Sequence, residues 1–384
     1  MAGGQAADYV IRRAQMPDRD ELVSVLNAAF SRDGARPVDF LKFLPHLFQP
    51  ERIGDHFLRL QNGRIVGCVG LYPYEHRVGG VSFRAAGVGQ VGTLTEARGS
   101  GVMTSLLRAA CREADAAGYE FCWLGGDRVR YGRFGWATGG LKMCFNFHER
   151  YLPDPPPEAR VRPLDPERDL EIVREYLADE PDTVVVEAGE LNAILRCGTT
   201  GGWVLGDAFI AHRRGGHNVY LGSGTPEEIA SLLSHHLRWS KAQPEGSRGV
   251  TVECAAAPSA LMRTCQGHYA SMSIVPSGMF RVGRLKSCLD KACQVAQARV
   301  TCGSGRVSLT NSESGETVTV MCRNGRLSAE EGGREDTYSL DRRELSEVCF
   351  GLCPLELHLP GLPEDSFLRR VLPLRAHWSR FFGV

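Results

Sequence analysis

Several features that mark common classes of protein are missing from this sequence of 384 residues. Its 13 cysteines include no C-x-x-C pair, so neither closely spaced metal ligands nor the dense disulfide framework of a small secreted domain is indicated. Basic and acidic residues number 45 each, a balance that offers no broad surface to nucleic acid or to an anionic membrane. No apolar run approaches about 18 residues, and the N-terminus lacks an apolar signal segment. We therefore expect a cytoplasmic protein with reduced thiols, no metal, no nucleic-acid partner and no membrane span.

The order of predicted elements divides the chain into three blocks, and its length allows two or three domains. The first block covers residues 1–152. It predicts a short strand, an amphipathic helix at 18–30 and a hairpin around Asn62-Gly63, followed by a strand at 88–94, a helix that Gly118 ends, and another strand. Antiparallel strands that lead into a strand–helix–strand unit are typical of an α/β domain.

A proline-rich stretch at 153–157 separates this block from a second one, 158–284, which again begins with a strand and a helix. The repetition suggests an internal duplication. The run Thr-Pro-Glu-Glu at 225–228 has the pattern of a capping box and predicts the start of a helix at 226–242. The third block, 285–384, predicts a helix, three β segments and another helix, which is typical of a small α+β domain.

The most informative segment is the loop Arg98-Gly99-Ser100-Gly101-Val102-Met103, which joins a predicted strand to a predicted helix. Backbone N–H groups of such a loop and of the helix N-terminus form a positive concavity that suits a pyrophosphate. The glycines let the backbone approach the anion closely, and Arg98 adds charge beside it. No Lys-Ser/Thr pair follows, so the loop is not a P-loop. A simple glycine-rich connection stays an alternative.

A second informative segment is Gly-Gly-Asp-Arg-Val-Arg-Tyr-Gly-Arg-Phe-Gly-Trp at 125–136. With the loop, it resembles the GNAT N-acetyltransferase superfamily, and its Tyr-Gly-Arg-Phe-Gly-Trp part resembles the multi-domain branch of enhanced intracellular survival (Eis) acetyltransferases. The resemblance extends over the whole chain. It implies a catalytic GNAT-like α/β domain at 1–152, a second, degenerate and non-catalytic GNAT-like domain at 158–284, and a sterol-carrier-protein-like α+β domain at 285–384.

The resemblance also implies acetyl-CoA as co-substrate, held by a strand, by the loop and by the start of the second segment. The residues assigned to acetyl-CoA in this way are Val91, Thr93, Leu94, Thr95, Arg98, Gly99, Ser100, Gly101, Val102, Met103, Gly126 and Asp127. Two of them depart from the pattern of the branch, since Thr95 stands where proline is common and Ser100 interrupts a run often rich in arginine. Phosphate binding would then depend more on backbone donors.

The chemistry needs two proton-transferring groups. Attack of an amine on a thioester requires a neutral amine, a polarised carbonyl and a proton for the departing thiolate. The resemblance assigns the general acid to Tyr131, for which packing against Phe134 and Trp136 is the alternative. It assigns the base to the terminal carboxylate of Val384. The apolar, aromatic tail that ends there predicts docking, although burial of a last element explains it equally well.

The resemblance therefore implies an acetyl-CoA-dependent N-acetyltransferase that works by direct transfer in a ternary complex. Its acceptor would be a primary amine of a polyamine-like small molecule, such as an aminoglycoside or amino sugar, or a protein lysine. Because the branch commonly forms hexamers, we expect a homo-oligomer, with a hexamer as one option. A competing hypothesis is a non-catalytic acyl-CoA or lipid-binding protein with a vestigial transferase site.

The remaining candidates concern the acceptor site, a basic cluster and three structural groups. Acceptor sites of the branch are acidic and roomy, and the segments that could line such a site contain Phe30, Asp33, Tyr72, Tyr74 and Glu75. A basic cluster that either faces solvent or contacts the 3′-phosphate of CoA consists of Arg128, Arg130 and Arg133. The groups predicted to be structural are His235-His236, Cys349 with Cys353, and the glycine turn at 222–224.

Overall fold

A computed structural model gives the fold, which is built around three β-sheets. The structure describes residues 9–31, 37–213, 216–243, 247–300, 303–333 and 337–384. Asp33, predicted near the acceptor site, lies outside the described residues.

The first part of the chain contains both informative segments. Its strands and helices are β1 (Tyr9–Arg13), α1 (Arg19–Phe30), α2 (Phe40–Phe43), α3 (Pro50–Ile53), β2 (His56–Gln61), β3 (Arg64–Val78), β4 (Val81–Thr93), α4 (Val102–Ala117), β5 (Phe121–Leu124), α5 (Arg128–Tyr131) and β6 (Ala137–Gly139). The amphipathic helix, the turn at Asn62-Gly63 and the helix end at Gly118 are confirmed. The strand predicted to begin near residue 88 begins earlier, at Val81, because it continues the long hairpin with β3.

The middle of the chain repeats the mixture of strands and helices. Its elements are β7 (Lys142–His148), β8 (Val161–Pro163), α6 (Leu170–Asp179), β9 (Thr183–Val185), α7 (Ala188–Leu195), β10 (Thr200–Leu205), β11 (Ala208–Arg213), β12 (Asn218–Ser223), α8 (Pro226–Lys241), β13 (Gly249–Ala255), α9 (Ala260–Cys265) and β14 (Ser271–Val275). The predicted capping box at the start of α8 is confirmed, with Thr225 and Glu228 bonded to each other's backbone.

The last part of the chain adds one strand to the first sheet and builds the third. Its elements are β15 (Gly278–Val282), α10 (Leu285–Ala296), β16 (Gly305–Asn311), β17 (Thr317–Arg323), β18 (Arg326–Glu331), β19 (Thr337–Leu340), α11 (Arg342–Phe350) and α12 (Leu368–Val371). The third sheet has the order β18-β17-β16-β19, and α10 packs against β17 and β18. This part contains both helices and a sheet, while its α+β class as a separate domain and its likeness to sterol carrier protein stay predictions.

The two large sheets have the same strand order. The first runs β1-β2-β3-β4-β5-β15-β6, with β9 beside β3, and the second, read from its other edge, runs β8-β10-β11-β12-β13-β7-β14. With respect to the predicted blocks, the sixth strand of each sheet comes from the block that otherwise builds the other sheet, because β7 lies within 1–152 and β15 within 158–284. Such an arrangement is expected of two duplicated units that have exchanged one strand.

The exchange makes the sheets differ from the predicted linear boundaries. Strand β7 precedes residue 152 but pairs with β13 and β14 of the second sheet, and β15 precedes residue 284 but pairs with β5 and β6 of the first. The physical reason is the burial of apolar side chains: Phe145 and Phe147 lie in the core of the second sheet, whereas Met279 and Phe280 lie in that of the first. The division at 152, 158 and 284 stays a prediction about domains.

Each large sheet contains one strand–helix–strand unit with parallel strands. We call β4–α4–β5 the first βαβ unit and β12–α8–β13 the second βαβ unit. In the first, residues 85–87 pair with 121–123, and in the second, residues 218–219 pair with 251–252. Helix α4 packs on its sheet through side chains spaced three or four residues apart, Val102, Leu106, Leu107, Ala110 and Ala114. This packing fixes the N-terminus of α4 at the end of β4.

Two further observations concern burial and thiols. Among the described residues, no helix is long and apolar enough to span a membrane. The described cysteines carry no disulfide, and most of them are buried, which agrees with the prediction of reduced thiols that pack as small apolar residues.

Candidate active site

The two parallel strands of the first βαβ unit separate towards their carboxyl ends. Residues 85–87 of β4 pair with β5, but residues 88–93 of β4 have no pairing with β5. The separation opens a cleft between Val88–Val91 on one side and Trp123–Gly126 on the other. Unpaired backbone groups of β4 are available there to an extended ligand, as at an exposed sheet edge.

Helix α4 begins at this cleft without a side-chain cap. Its N-cap residue is Gly101, which has φ = 76° and provides no side chain to accept a hydrogen bond from the first turn. A residue with a Cβ would be strained at this positive φ, so glycine fits the position. The first N–H groups of the helix are therefore left for an anion, which the positive end of the helix dipole favours.

Two adjoining cavities follow the cleft. The outer one, of about 930 Å³, is lined by the Arg98–Met103 region together with Thr93, Arg130 and Arg133. The inner one, of about 560 Å³, is lined by the separated strands, by Tyr131 and by Val384. Phe30, Val91 and Arg130 line both, so the cavities form one continuous groove. Residues from both ends of the chain thus meet in one place.

Most residues predicted to bind acetyl-CoA lie on the walls of this groove. Those on the outer wall are Val91, Thr93, Thr95, Arg98, Gly99, Gly101, Val102 and Met103, and those on the inner wall are Gly126 and Asp127, with Val91 shared. Leu94 and Ser100 do not line either cavity. The side chain of Leu94 packs into the core, and the Ser100 hydroxyl donates to the Ala97 carbonyl oxygen at 2.8 Å. Both side chains therefore make contacts within the protein and do not face the groove.

Tyr131 is the last residue of α5, where Asp127 caps the helix by accepting from the Arg130 backbone N–H at 2.8 Å. The ring of Tyr131 is 7% exposed and meets Trp136 edge-on at 6.4 Å, so the predicted packing contact is present. The residue also lines the inner cavity, so packing and an acid role are compatible. Burial raises the pKa of the Tyr131 phenol above its usual value, although Arg130 opposes part of the change.

Val384 reaches the inner cavity from the far end of the chain. A Cβ built on Gly89 of β4 would overlap the carboxyl carbon of Val384 and lie 2.6 Å from its oxygen. A Cβ on Gly87 would lie 2.8 Å from both methyl groups of the same residue. Two glycines of β4 therefore provide the space in which the end of the chain sits. Since both positions face Val384, its carboxyl group is held against the cleft.

The tail before Val384 is buried by aromatic stacking. Trp378 is fully buried and lies parallel to Trp123 of β5, with ring centroids 5.1 Å apart and an interplanar angle of 4°. His76 of β3 stacks on the same indole at 5.3 Å, and its Nε2 donates to the His377 carbonyl oxygen at 2.9 Å. Burial lowers the pKa of His76 to about 4, so the ring is neutral at physiological pH. The predicted docking of the tail is confirmed.

Hydrogen bonds from both large sheets also hold the tail. Ser277, next to β15, accepts from the Trp378 backbone N–H at 2.9 Å. Arg213 of β11, in the second sheet, donates to the carbonyl oxygens of Phe381 and, at 2.6 Å, of Phe43. The second sheet thereby fixes both the tail and the α2 segment that borders the inner cavity.

Gln90 is a site residue that the sequence did not reveal. Its φ of 45° is left-handed, and the pairing of β3 with β4 shifts there, with Cys68 opposite Gly92 and Gly70 opposite Gly89. Gln90 and Val91 together face Val69, which is a β-bulge. No residue pattern marks a bulge whose left-handed residue is glutamine, so sequence analysis had no signal for it.

The side chain of Gln90 is held by a buried hydrogen-bond chain. Its amide contacts the Tyr72 hydroxyl, which lies 2.9 Å from Nε2 of His56, and Nδ1 of His56 lies 3.1 Å from the Ile53 carbonyl oxygen. Burial lowers the pKa of His56 to about 4, so its ring is neutral, with one donor and one acceptor nitrogen. The Tyr72 hydroxyl donates to Oε1 of Gln90 and so fixes the orientation of its amide.

The predicted acceptor segments fit the groove only in part. Phe30 lines both cavities. Tyr72, Tyr74 and Glu75 were wrong as lining residues: Tyr72 belongs to the buried chain, the Tyr74 hydroxyl donates to Glu190, and Glu75 accepts from Ser82 at 2.5 Å. The alternation of a strand explains this outcome, because β3 lies one strand away from the cleft and directs these side chains into other contacts.

The three arginines of the predicted basic cluster are divided between two cavities. Arg130 and Arg133 line the outer cavity, and Arg133 donates to the Thr104 hydroxyl at 3.2 Å. Arg128 lies instead in a separate polar depression beside Arg343. Contact with an anionic end of the donor therefore suits Arg130 and Arg133 better than Arg128.

The comparisons with known proteins agree with this geometry. The family model for the acetyltransferase (GNAT) domain matches residues 10–139, the part of the chain that contains the first βαβ unit and Tyr131. Residues 10–139 therefore form an acetyltransferase (GNAT) domain. None of the curated proteins matches the sequence significantly.

Solved structures resemble the chain over nearly its whole length. The GCN5-related N-acetyltransferase from Kribbella flavida is 15% identical, with 97% of each chain covered and a TM-score of 0.66. Eis1 from Mycobacterium abscessus is 13% identical, with 97% of this chain and 98% of that chain covered and a TM-score of 0.59. A probable N-acyltransferase from Enterococcus faecalis is 14% identical, with 89% of each chain covered and a TM-score of 0.64. The chain thus shares the fold of these proteins, including that of Eis1.

Proposed function

We propose that the protein is an acetyl-CoA-dependent N-acetyltransferase that transfers the acetyl group directly to a primary amine in a ternary complex. One observation carries the proposal: the uncapped N-terminus of α4, Tyr131 and the carboxyl group of Val384 all border one pair of adjoining cavities. The GNAT domain supports acetyl-CoA as the donor, because acetyl-CoA is the general co-substrate of that superfamily.

The walls of the outer cavity suit the phosphates of the donor. The first N–H groups of α4 would bind the pyrophosphate, with Arg98, Arg130 and Arg133 as nearby positive charges. Arg98 donates weakly to two backbone carbonyl oxygens, at 3.3 and 3.4 Å, so little would be lost if it turned towards an anion. The unpaired edge of β4 from Val91 to Thr93 would bind the pantetheine amides.

Val384 is proposed as the base. Its carboxylate would accept a proton from the acceptor ammonium, and the neutral nitrogen would then attack the thioester carbonyl carbon. After the carboxylate has released this first proton to solvent, the nitrogen–carbon bond forms as the carbon–sulfur bond breaks, and the nitrogen loses its second proton to the carboxylate as it becomes an amide. The contacts that support this role are those of Val384 with Gly87 and Gly89, which hold the carboxyl group at the separated strands.

Tyr131 is proposed as the general acid. Its hydroxyl would donate a proton to the departing thiolate, and the phenol would later regain a proton from solvent, so that free CoA leaves as the thiol. The raised pKa of Tyr131 supports this role because the phenol keeps its proton at neutral pH.

Several finer assignments also remain proposals. The second βαβ unit would be non-catalytic. The two acceptor classes implied by the resemblance, a polyamine-like small molecule and a protein lysine, share the reactive primary amine. A homo-oligomer, a cytoplasmic location and the role of the third sheet are predictions that independent measurements can address.

Release of free CoA tests the proposed function. The purified protein is incubated with acetyl-CoA and a panel of primary amines, and thiol release and acetylated product are both measured. We expect release that depends on the amine, with one acetylated product per CoA. Saturable acetyl-CoA binding without amine-dependent release would contradict the proposal and favour the non-catalytic binding protein.

A further inference from the structure

The inner cavity is where the acceptor must approach, if the proposed function holds. The outer cavity contains the phosphate-binding elements, whereas the inner one contains Tyr131 and the carboxyl group of Val384. An amine that reacts at this junction has to place its nitrogen beside Val384 and the rest of its structure along the inner wall. The composition of that wall therefore selects the acceptor.

One side of the inner cavity is an apolar wall. It consists of Phe30 at the end of α1 and of four residues around α2, namely Val38, Phe40, Phe43 and Leu44. The rings of Phe30 and Phe40 meet edge-on, with centroids 5.1 Å apart. Phe30 is 41% exposed, so a large apolar surface faces the groove. Aromatic and aliphatic walls of this kind stabilise a flat apolar ligand by removing its surface from water.

The charges of the inner cavity do not suit a polycation. Among the described lining residues, Asp127 is the one acidic side chain, and Arg130 and Arg380 are basic. Asp127 is already engaged, since its carboxylate caps α5 and lies 3.6 Å from Nε of Arg130. The carboxyl group of Val384 would thus be matched by a single ammonium group, and further ammonium groups would meet arginines.

The apolar wall suits the acceptor better than a long acyl chain on the donor. The floor of the cleft between β4 and β5 is filled by Val384 and Trp378, which would lie 2.8 and 3.1 Å from a Cβ on Gly87. A long acyl chain would have to extend into that space. The apolar wall, in contrast, is formed by residues of α1 and of the α2 segment and not by residues of β4 or β5.

We infer that the acceptor is a primary amine with one positive charge on an apolar, preferably aromatic, body. The inference depends on the proposed function and narrows it. It sets aside the polyamine-like class implied by the resemblance. The expected acceptor chemistry is that of an arylalkylamine, whose ring would contact the Phe30–Phe40 wall while its amine reaches Val384.

The test compares kcat/KM of the full-length protein for two kinds of amine at saturating acetyl-CoA. 2-Phenylethylamine and tryptamine represent apolar amines, and spermidine and kanamycin represent polycations. We expect kcat/KM to be at least about tenfold higher for the apolar amines, the discrimination that burial of an apolar group commonly provides. Higher values for the polycations would overturn the inference and leave the proposed function intact. Absence of CoA release with every amine would instead overturn the proposed function, and the inference with it.

A second experiment introduces a negative charge into the apolar wall. Val38→Glu should lower kcat/KM for 2-phenylethylamine about tenfold and raise the value for spermidine, while Val10→Glu, at an exposed position of β1, should change neither. Acetyl-CoA binding, measured by calorimetry, verifies that the Val38 variant keeps its donor site. Equal effects of Val38→Glu on both amines would overturn the inference. So would a preference of the wild type for octanoyl-CoA over acetyl-CoA that Val38→Glu abolishes, because the wall would then hold the acyl chain.

Discussion

The two βαβ units have the same arrangement of strands, but the helix N-terminus is uncapped in the first unit and capped in the second. In the first, α4 begins at Gly101 with no side-chain cap and opens onto a cavity. In the second, Thr225 accepts from the Glu228 N–H at 3.3 Å, and the Glu228 carboxylate accepts from the Thr225 N–H at 2.9 Å. A carboxylate of the chain itself thus occupies the position that an external anion could take in the first unit.

The clefts beyond the two helices differ in the same way. In the second βαβ unit, α9 packs against β12, β13 and α8, and Leu261 lies 3.2 Å from the position of a Cβ on Gly222. In the first βαβ unit, the corresponding separation of strands remains a groove, and the end of the chain at Val384 lies in it. The same fold can therefore serve as a binding site or as a filled scaffold, and local residues decide which.

The largest expected effect comes from changing the end of the chain in the first unit. Addition of about four residues after Val384 removes its carboxylate from the cleft and should lower kcat about 100-fold or more, within the usual range for loss of a general base. Acetyl-CoA binding should persist, because the outer cavity is unchanged. The same residues added at the N-terminus serve as the control. Full activity of the extended protein would exclude Val384 as the base.

An internal substitution tests the same group. Gly89→Ala places a methyl group where the Val384 carboxyl carbon lies and should also lower kcat strongly, whereas Gly125→Ala, whose Cβ would be 3.7 Å from the nearest contact, should have little effect. Thermal melting of both variants distinguishes a displaced tail from global unfolding. Equal activities of the two variants would count against a tail held at Gly89.

The second prediction transfers the cap of the second unit to the first. Thr104 occupies the third helical position of α4 and lines the outer cavity, as Glu228 occupies the third position of α8. Thr104→Glu should raise the KM for acetyl-CoA at least about tenfold by competing with phosphate for the helix N-terminus, and added salt should reduce the effect. Thr104→Gln has a similar shape without charge and should stay near wild type. Equal KM values for the two variants would contradict an anion site at α4.

Replacement of Tyr131 should affect chemistry rather than binding. Tyr131→Phe should lower kcat about tenfold or more with acetyl-CoA affinity nearly unchanged, because the aromatic contact with Trp136 is kept and only the proton is lost. A general acid acts below its pKa, and burial raises the pKa of Tyr131 above the usual value of about 10. We therefore expect no loss of kcat from this group between about pH 7 and 9. A decrease in that range that Tyr131→Phe removes would contradict the assignment.

The catalytic efficiency should depend on the backbone conformation at Gln90, in the bulge of β4. Gln90→Ala keeps the left-handed strain and loses the hydrogen bond from Tyr72, so kcat/KM should fall about threefold to tenfold, in line with roughly 1 kcal/mol for one lost hydrogen bond. Gln90→Gly relieves the strain and should retain more activity than Gln90→Ala. Asn324→Ala changes another left-handed residue, in the turn between β17 and β18, and should leave kcat/KM unaltered. A glycine variant less active than the alanine variant would contradict a conformational role.

The sequence predicted local features well because each depends on neighbouring residues. The cap at Thr225, the end of α4 at Gly118 and the turn at Asn62-Gly63 are short-range patterns with a direct physical cause. The glycine loop at 98–103 predicted the helix N-terminus that borders the outer cavity. The aromatic residues before Val384 predicted that this segment is buried, because exposure of Trp378 and Phe381 to water would cost free energy.

What the sequence could not predict depends on contacts between distant segments. Strands β7 and β15 carry no mark that assigns them to one sheet or the other, because apolar alternation is satisfied by either core. The bulge at Gln90 depends on a hydrogen-bond chain through Tyr72 and His56, which comes from other strands. Arg213 contacts the tail across 168 residues. These partners are recognised only once the sheets are assembled.

The smallest expected effect lies in the second unit and completes the comparison. Thr225→Ala removes the hydroxyl that caps α8 and should lower the free energy of unfolding by about 1 kcal/mol, without a change in kcat or in the KM for acetyl-CoA. Thermal melting and steady-state kinetics measure the two quantities, with Thr225→Ser as the control that keeps the cap. If Thr225→Ala altered acetyl-CoA binding, the second unit would contribute to the donor site. The difference between an uncapped helix N-terminus in the first unit and a capped one in the second would then no longer explain why the first unit alone is expected to bind acetyl-CoA.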